Sequence, residues 1–118
     1  MFAVLCVATS VLCVALFAVF LVSPGHYIAL YGVAPDAGAA FLGRRAAPLF
    51  LGLAVFFWVL RGTGPGPLRD GTVWAAALTF GGIAVTGIWT YASGSASRAI
   101  LVAAGLELAI ALTFVMAR

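Results

Sequence analysis

The fold of this chain is decided by a stretch without a single charge, Phe2 to Val22, which reads FAVLCVATSVLCVALFAVFLV. A helix needs roughly 20 predominantly apolar residues to cross the hydrocarbon core of a bilayer. This stretch has that length, and it ends at Ser23-Pro24-Gly25, a sequence typical of a turn. A cleaved signal peptide would have a positive n-region and a shorter apolar core. We therefore predict an uncleaved first membrane span.

The composition of the whole chain also indicates a membrane protein. Of its 118 residues, 65% are hydrophobic and 8% are charged, and the formal net charge is +3. Soluble domains are about 25% charged and about 45–50% apolar. The chain therefore lacks the polar surface of a cytosolic enzyme or of a disordered tail. Its few basic residues are too scattered to predict binding of nucleic acid.

Three further apolar stretches extend the pattern to four spans. We predict an all-α fold, an integral membrane bundle in a single domain over residues 1–118, with helices over residues 2–22, 37–60, 73–92 and 97–117. Aromatic residues test the predicted positions of these spans, because Trp and Tyr are enriched at both membrane–water interfaces. Trp74 and Tyr91 are separated by about 25 Å of predicted helix, which is close to the ~30 Å thickness of the hydrocarbon core.

Polar residues mark the predicted starts of the later helices. Asp36 is predicted to be the N-cap of the second helix, because a carboxylate accepts hydrogen bonds from the first backbone N–H groups. Asp70 or Thr72 is predicted to cap the third helix, after a Gly- and Pro-rich loop that we expect to extend to Thr72. Ser95 or Ser97 is predicted to cap the fourth helix.

Glu107 is the sharpest single feature, because it places a carboxylic acid near the middle of the last predicted span. A carboxylate at that depth costs several kcal/mol unless it is paired or protonated. Arg44 and Arg45 enter the second helix from the side of the membrane on which the last helix begins. Neighbouring residues on a helix point in different directions, so only one of the two faces inward. We predict an intramembrane ion pair between Glu107 and Arg45 or Arg44.

Two interpretations of Glu107 stay open at this point. In the first, the ion pair locks the second helix to the fourth. In the second, Glu107 is a proton-coupled carboxylate in a transporter or a polar anchor in a ligand pocket. One form of that pocket is polar and is lined by Thr86, Thr90 and Glu107. The alternative for Thr86 and Thr90 is that their hydroxyls bond to their own helix, as Thr in a span usually does.

The sequence predicts no catalytic, metal or cofactor site. It contains no Ser/His/Asp set, no cluster of metal ligands and no Gly-rich phosphate loop. His26, the only histidine, lies outside the predicted spans, so two axial histidines cannot hold a haem within one chain. Cys6 and Cys13 are about two helical turns apart, which is too far for a disulfide, and we predict that they are buried apolar residues.

Several short motifs of the chain resemble those of a known family. The sequences LYGV at residues 30–33 and RRAAPLFLGLA at residues 44–54, with Glu107 in the last span, resemble small four-helix bacterial membrane proteins of the DUF4345-like kind. This resemblance covers most of the chain. It implies a four-helix bundle in which Arg44, Arg45 and Glu107 stand out, and it implies no activity.

These observations lead to two hypotheses about function, neither of them enzymatic. The first is a non-catalytic accessory or scaffold subunit of a larger membrane complex, in contact with the lipid bilayer and with other membrane proteins or copies of itself. The alternative is a small oligomeric proton-coupled transporter or channel that uses Glu107. We expect a bacterial inner-membrane location with both chain ends in the cytoplasm.

Overall fold

The computed structural model describes residues 1–118 and contains helices but no strands. The five helices are α1 (Phe2–Val22), α2 (Pro24–Ala29), α3 (Ala37–Leu60), α4 (Pro67–Ala92) and α5 (Ala99–Met116). Helices α1, α3, α4 and α5 are each long enough and apolar enough to cross a membrane. The predicted all-α membrane bundle with four transmembrane helices is therefore confirmed.

Helix α2 is a short element that the sequence pattern did not predict. Pro24 occupies its first turn, where the missing proline N–H would have no partner within the helix in any case. Ser23 separates α1 from α2, and its own N–H still donates to the carbonyl of Val19 at 2.8 Å. The chain thus turns sharply after α1, and α2 is laid against one end of the bundle.

Helix α3 begins as the sequence predicted. The N–H of Ala39 donates to Oδ1 of Asp36 at 2.7 Å, so Asp36 is confirmed as the N-cap. Pro48 lies inside this helix, which continues to Leu60. The hydroxyl of Ser10 on α1 donates to the carbonyl of Ala54 at 2.7 Å and joins α1 to α3.

Helix α4 begins six residues before the predicted start at residue 73, so part of the predicted loop is helical. Gly66 is the N-cap, and Pro67 stands at the first position of the helix, which suits its fixed φ. The predicted caps were wrong, because both residues lie within the helix. Asp70 forms an ion pair with Arg118, and the hydroxyl of Thr72 donates to the carbonyl of Leu68 at 2.8 Å.

Helix α5 begins at Ala99, and no side chain caps it, so the prediction of Ser95 or Ser97 as the cap was wrong. Ser97 instead joins two parts of the fold, because its N–H donates to the carbonyl of Tyr31 at 2.7 Å. Gly32, with φ of +72°, allows this approach, since a Cβ on it would lie 3.1 Å from the Cβ of Ser97.

The long helices pack as two hairpins, α1 with α3 and α4 with α5. Contacts between the hairpins are sparser, and those of α1 with α5 are the most extensive. The core that joins them draws on all four long helices: Phe2, Cys6, Cys13, Ala54, Phe57, Val73, Ala76, Phe80, Ala111, Phe114 and Ala117. Only 19 of the 118 residues are buried, because lipid replaces protein around the outside of the bundle.

The core is most complete at the end of the bundle that contains Phe2, Phe57, Arg69 and Phe114, which we call the packed end. Phe114 contacts the ring of Phe57 with centroids 5.5 Å apart and meets Phe2 edge-on at 6.2 Å. The guanidinium of Arg69 lies 4.5 Å from the centre of the Phe2 ring and donates to the carbonyl of Ala117. These contacts close the space between the hairpins.

The two cysteines belong to this core. Cys6 and Cys13 are both free thiols and both completely buried. Their predicted role as small buried apolar residues that form no disulfide is therefore confirmed.

Candidate functional site

The candidate site is a cavity of about 460 Å³ between the two hairpins. It lies next to the core and extends away from the packed end, and we call this region the cavity end. Thirteen residues line it, and Glu107 is the only charged one among them. A volume of this size lies within the range of small-molecule sites, about 300–1,000 Å³.

A second depression, of about 570 Å³, lies between α1 and α3. Its lining includes Val11, Val14 and Leu51, and no charged residue faces it. Exposed apolar side chains surround it on this side of the bundle, so acyl chains of the bilayer would cover it. The candidate site is therefore the cavity that contains Glu107, because it alone of the two includes a charged side chain.

Four aromatic rings form one wall of the cavity. Phe20 and Phe50 stack with centroids 5.2 Å apart and ring planes 3° apart. The ring of Tyr27 lies 4.6 Å from that of Phe20, and the ring of Tyr31 lies 5.1 Å from that of Tyr27. All four rings come from α1, α2, α3 and the residues just after α2, and so from the same side of the cavity.

The short helix α2 is what brings the two tyrosines to this wall. The break at Ser23 turns the chain back, so that Tyr27 packs on a ring of α1 instead of continuing away from it. Gly43 on α3 permits the close approach, because a Cβ there would lie 2.7 Å from the Cβ of Pro24. Burial raises the pKa of Tyr27, so its phenol stays protonated and can donate a hydrogen bond.

Glu107 occupies the opposite wall, near the middle of α5. Its side chain is half-buried and forms neither an ion pair nor a hydrogen bond within the chain. Its neighbours in the lining on α5 are Ala103, Leu106 and Ile110, which offer no polar atom beyond the helix backbone. The carboxyl group therefore faces an apolar and aromatic space without a protein partner.

The predicted ion pair between Glu107 and Arg45 or Arg44 was wrong. Nε of Arg44 donates to the carbonyl of Leu21 at 3.4 Å, and the guanidinium of Arg45 lies 5.8 Å from the centre of the Phe41 ring. Both arginines are exposed. The physical reason is the pairing of helices, because α3 packs on α1 and not on α5, and long arginine side chains near a helix end reach outward.

The predicted polar pocket with Thr86 and Thr90 was also wrong. The hydroxyl of Thr86 donates to the carbonyl of Ile83 at 2.8 Å, and that of Thr90 donates to the carbonyl of Thr86 at 2.8 Å. Both threonines are exposed, and neither lines the cavity. The alternative, in which these hydroxyls bond to their own helix, is confirmed. Helix α4 contributes Phe80 and Ile83 to the cavity instead.

The single ion pair of the structure lies elsewhere, at the packed end. Arg118 binds Asp70 through two hydrogen bonds, Nε to Oδ1 at 2.9 Å and Nη2 to Oδ2 at 3.2 Å. This pair is exposed and connects the start of α4 to the second residue after α5. Of the three acidic residues, Glu107 alone faces the interior and lacks a hydrogen-bonding partner.

The aromatic wall of the cavity was not predicted from the sequence. Phe20 and Phe50 were indistinguishable from other apolar residues of their spans. A signal was nevertheless present, since aromatic residues stand on both sides of the Ser23-Pro24-Gly25 break. A sharp turn between Phe20 and Tyr27 brings such rings together.

Comparison of the chain with protein-family models, curated proteins and solved structures found no match. The resemblance to DUF4345-like membrane proteins therefore stays a prediction. The functional proposal below rests on the geometry of the cavity and on the chemistry of Glu107.

Proposed function

We propose that this chain is a non-catalytic membrane transporter that binds a small amphipathic molecule in the cavity and exchanges it for a proton at Glu107. The observation that carries the proposal is the unpaired carboxyl group of Glu107 facing a cavity between the hairpins. An ionisable group within a membrane span is expensive and commonly marks a substrate or proton pathway. No basic residue lines the cavity, so Glu107 has no internal counter-charge.

The chemistry of a lone carboxyl in this setting supports coupled exchange. The group is stable when it is protonated, because the neutral acid avoids the cost of a charge in an apolar space. It is also stable when it is ionised and in contact with a bound partner that compensates the charge. The carboxyl group can hold either a proton or such a partner, but not both at once. Coupled exchange requires this mutual exclusion.

The packing of the bundle supports a movement that would carry the exchange. Each hairpin is tightly packed within itself, whereas the two hairpins contact each other less extensively. Rigid-body rocking of two such units about a binding site is a common way to alternate access. The backbone bond from Ser97 to Tyr31 closes the cavity end and is the contact that such a movement would break.

An ion pair between Glu107 and Arg44 or Arg45 would have favoured the accessory-subunit hypothesis, and no such pair is present. We propose that the chain acts as a homo-oligomer in a bacterial inner membrane rather than as a subunit of a larger complex. We also propose that the packed end faces the cytoplasm; it carries Arg61, Arg69 and Arg118, and the opposite end carries the equal number Arg44, Arg45 and Arg98.

The proposal is tested by proton flux in proteoliposomes. The protein is reconstituted with a pH-sensitive dye inside, and amphipathic cations, anions and neutral compounds are added outside under an imposed pH gradient. We expect at least one compound to accelerate collapse of the gradient, and Glu107→Gln to abolish that acceleration. Asp36→Asn is the matched control, because it also converts an acid to an amide, and Asn serves as an N-cap as well as Asp does.

Two outcomes would contradict the proposal. One is the absence of compound-dependent proton flux across the whole panel. The other is an unchanged flux in Glu107→Gln, which would place the coupling group elsewhere. Co-purification of a stoichiometric set of larger membrane proteins in mild detergent would instead favour the accessory-subunit hypothesis.

A further inference from the structure

We infer that the ligand of the cavity is a hydrophobic organic cation with a single positive charge and few or no N–H donors, such as an aromatic quaternary ammonium compound. This inference rests on the proposed function for its site and adds the chemical class of the substrate. It is carried by the combination of one carboxyl group, a wall of four aromatic rings and an otherwise apolar lining.

The sign of the charge follows from the lining. Glu107 contributes the only formal charge of the cavity, and Arg44 and Arg45, its predicted partners, are directed to other groups. An anion would meet an uncompensated carboxylate in a medium of low dielectric constant, which is strongly unfavourable. A monovalent cation neutralises the site, whereas a divalent cation would leave one charge without compensation.

The aromatic wall adds a second attraction for the same class of ligand. The face of an aromatic ring carries negative potential and attracts cations within about 6 Å of its centre. Phe20, Tyr27 and Phe50 present connected rings on the side of the cavity opposite Glu107. A cation in the cavity would lie between the carboxylate and this group of rings.

The scarcity of hydrogen-bond acceptors selects against strongly hydrated cations. A primary ammonium group has three donors, and a buried donor without a partner is unfavourable because it loses its hydrogen bonds to water. The side chains of the cavity offer Glu107 and the hydroxyls of Tyr27 and Tyr31, with hydrophobic groups around them. A quaternary ammonium group has no N–H to satisfy, and aromatic cages bind it through cation–π attraction.

Pairing of a cation with Glu107 also makes binding depend on pH. Binding of a cation to ionised Glu107 requires release of the proton that the neutral acid holds. The other titratable groups in the lining are Tyr27 and Tyr31, while the lining residues of α1, α3 and α4 include none. We therefore expect binding to release up to one proton per cation and to strengthen as pH rises through the titration of Glu107.

The test is equilibrium binding to the purified full chain in detergent, measured by titration calorimetry with two isosteric probes. The first is benzyltrimethylammonium, and the second is neopentylbenzene, in which carbon replaces nitrogen and the charge is removed. We expect the cation to bind at least about tenfold more tightly than its neutral isostere. Repeating the titration in buffers of different ionisation enthalpy gives the number of protons released.

Three variants separate the contributions of the two walls. Glu107→Gln keeps the size and shape of the side chain but removes its ability to ionise, so it should remove the preference for the cation and the proton release. Phe20→Leu should reduce the preference about threefold to tenfold, because it removes one ring face. Asp36→Asn, the control, should leave both probes unaffected.

The inference is overturned if the two isosteres bind equally, if neither binds, or if Glu107→Gln retains the preference for the cation. These results differ from failure of the proposed function. Cation-selective binding without proton flux in proteoliposomes would refute transport and leave the ligand class intact. Proton flux driven only by neutral or anionic compounds would support transport and refute the ligand class.

Discussion

The packed end and the cavity end of the bundle both contain clustered aromatic rings, but the rings come from different helices. At the packed end, Phe2, Phe57 and Phe114 belong to α1, α3 and α5, so rings from both hairpins meet and fill the space between them. At the cavity end, the rings that contact one another, such as Phe20 and Tyr27, belong to one hairpin and its connection. Phe80 of α4 lines the cavity from the other hairpin but forms no ring contact with them, so the space between the hairpins stays open.

The two ends also differ in whether their charged side chains have partners within the protein. Arg69 at the packed end lies against an aromatic ring and donates to a backbone carbonyl, and Asp70 is paired with Arg118. At the cavity end Glu107 has no partner of either kind. The packed end is therefore filled and its acid is paired, whereas the cavity end is open and contains an unpaired acid.

The largest effect on stability is expected from Phe114→Ala at the packed end. Phe114 is completely buried between Phe2 and Phe57, and truncation of such a ring costs about 3–5 kcal/mol. Phe20→Ala, at the edge of the cavity, should cost less than half as much, because its ring already borders empty space. Unfolding of both variants by denaturant in detergent micelles measures the difference. Equal losses would show that the two ends are packed to the same degree.

Glu107→Gln is expected to raise the free energy of unfolding, whereas Phe114→Ala lowers it. Removing the ionisable group from an apolar cavity should stabilise the fold by about 1–2 kcal/mol, since no internal partner is lost. Had Glu107 formed the ion pair with Arg44 or Arg45, the same change would destabilise the protein by about 3–5 kcal/mol. The unfolding free energy therefore distinguishes the two arrangements by its sign alone.

Gly43→Ala tests the contact that holds α2 against the cavity end. The added Cβ would lie 2.7 Å from the Cβ of Pro24, so α2 must shift, at a cost of about 1–3 kcal/mol. Gly52→Ala on the same helix is the matched control, because nothing lies within 4 Å of its added Cβ. We expect the control to be neutral or slightly stabilising, since Ala favours helix more than Gly does. The melting temperatures of the two variants in detergent provide the measurement.

The smallest effect is expected from Asp70→Asn, which removes the ion pair with Arg118. Both side chains are well exposed, and exposed ion pairs add little to stability because water and salt screen them. The melting temperature should fall only slightly, and the fall should shrink as salt is added. A large decrease that persists in high salt would show that this pair closes the packed end together with Arg69.

Local features of the chain were predictable from the sequence. Asp36 was identified as a cap because its carboxylate accepts a bond from a residue three positions later, which depends on nothing else in the fold. The start of α4 was misplaced although the signal was local, since Pro67 after Gly66 suits the first position of a helix. The Gly- and Pro-rich composition of the preceding residues had favoured a longer loop.

Features that depend on helix pairing were not predictable in the same way. Glu107 was recognised as exceptional, because a carboxyl in a span is unusual wherever it points. Its partner was wrongly predicted, since Arg44 and Arg45 lie at a suitable depth but on a helix that packs against α1. The apolar sequence of each helix does not specify which other helix it packs against.

The amino-acid sequence by itself determined that this protein lies in a membrane, how many times it can cross, and that one carboxyl group lies within a span. These follow from the lengths of apolar runs and from the cost of charge in hydrocarbon, which are properties of each segment alone. Only the tertiary structure decided that Glu107 faces four aromatic rings across a cavity. That arrangement depends on the turn at Ser23, the small Gly43 and the pairing of α1 with α3, because contacts between distant segments set it.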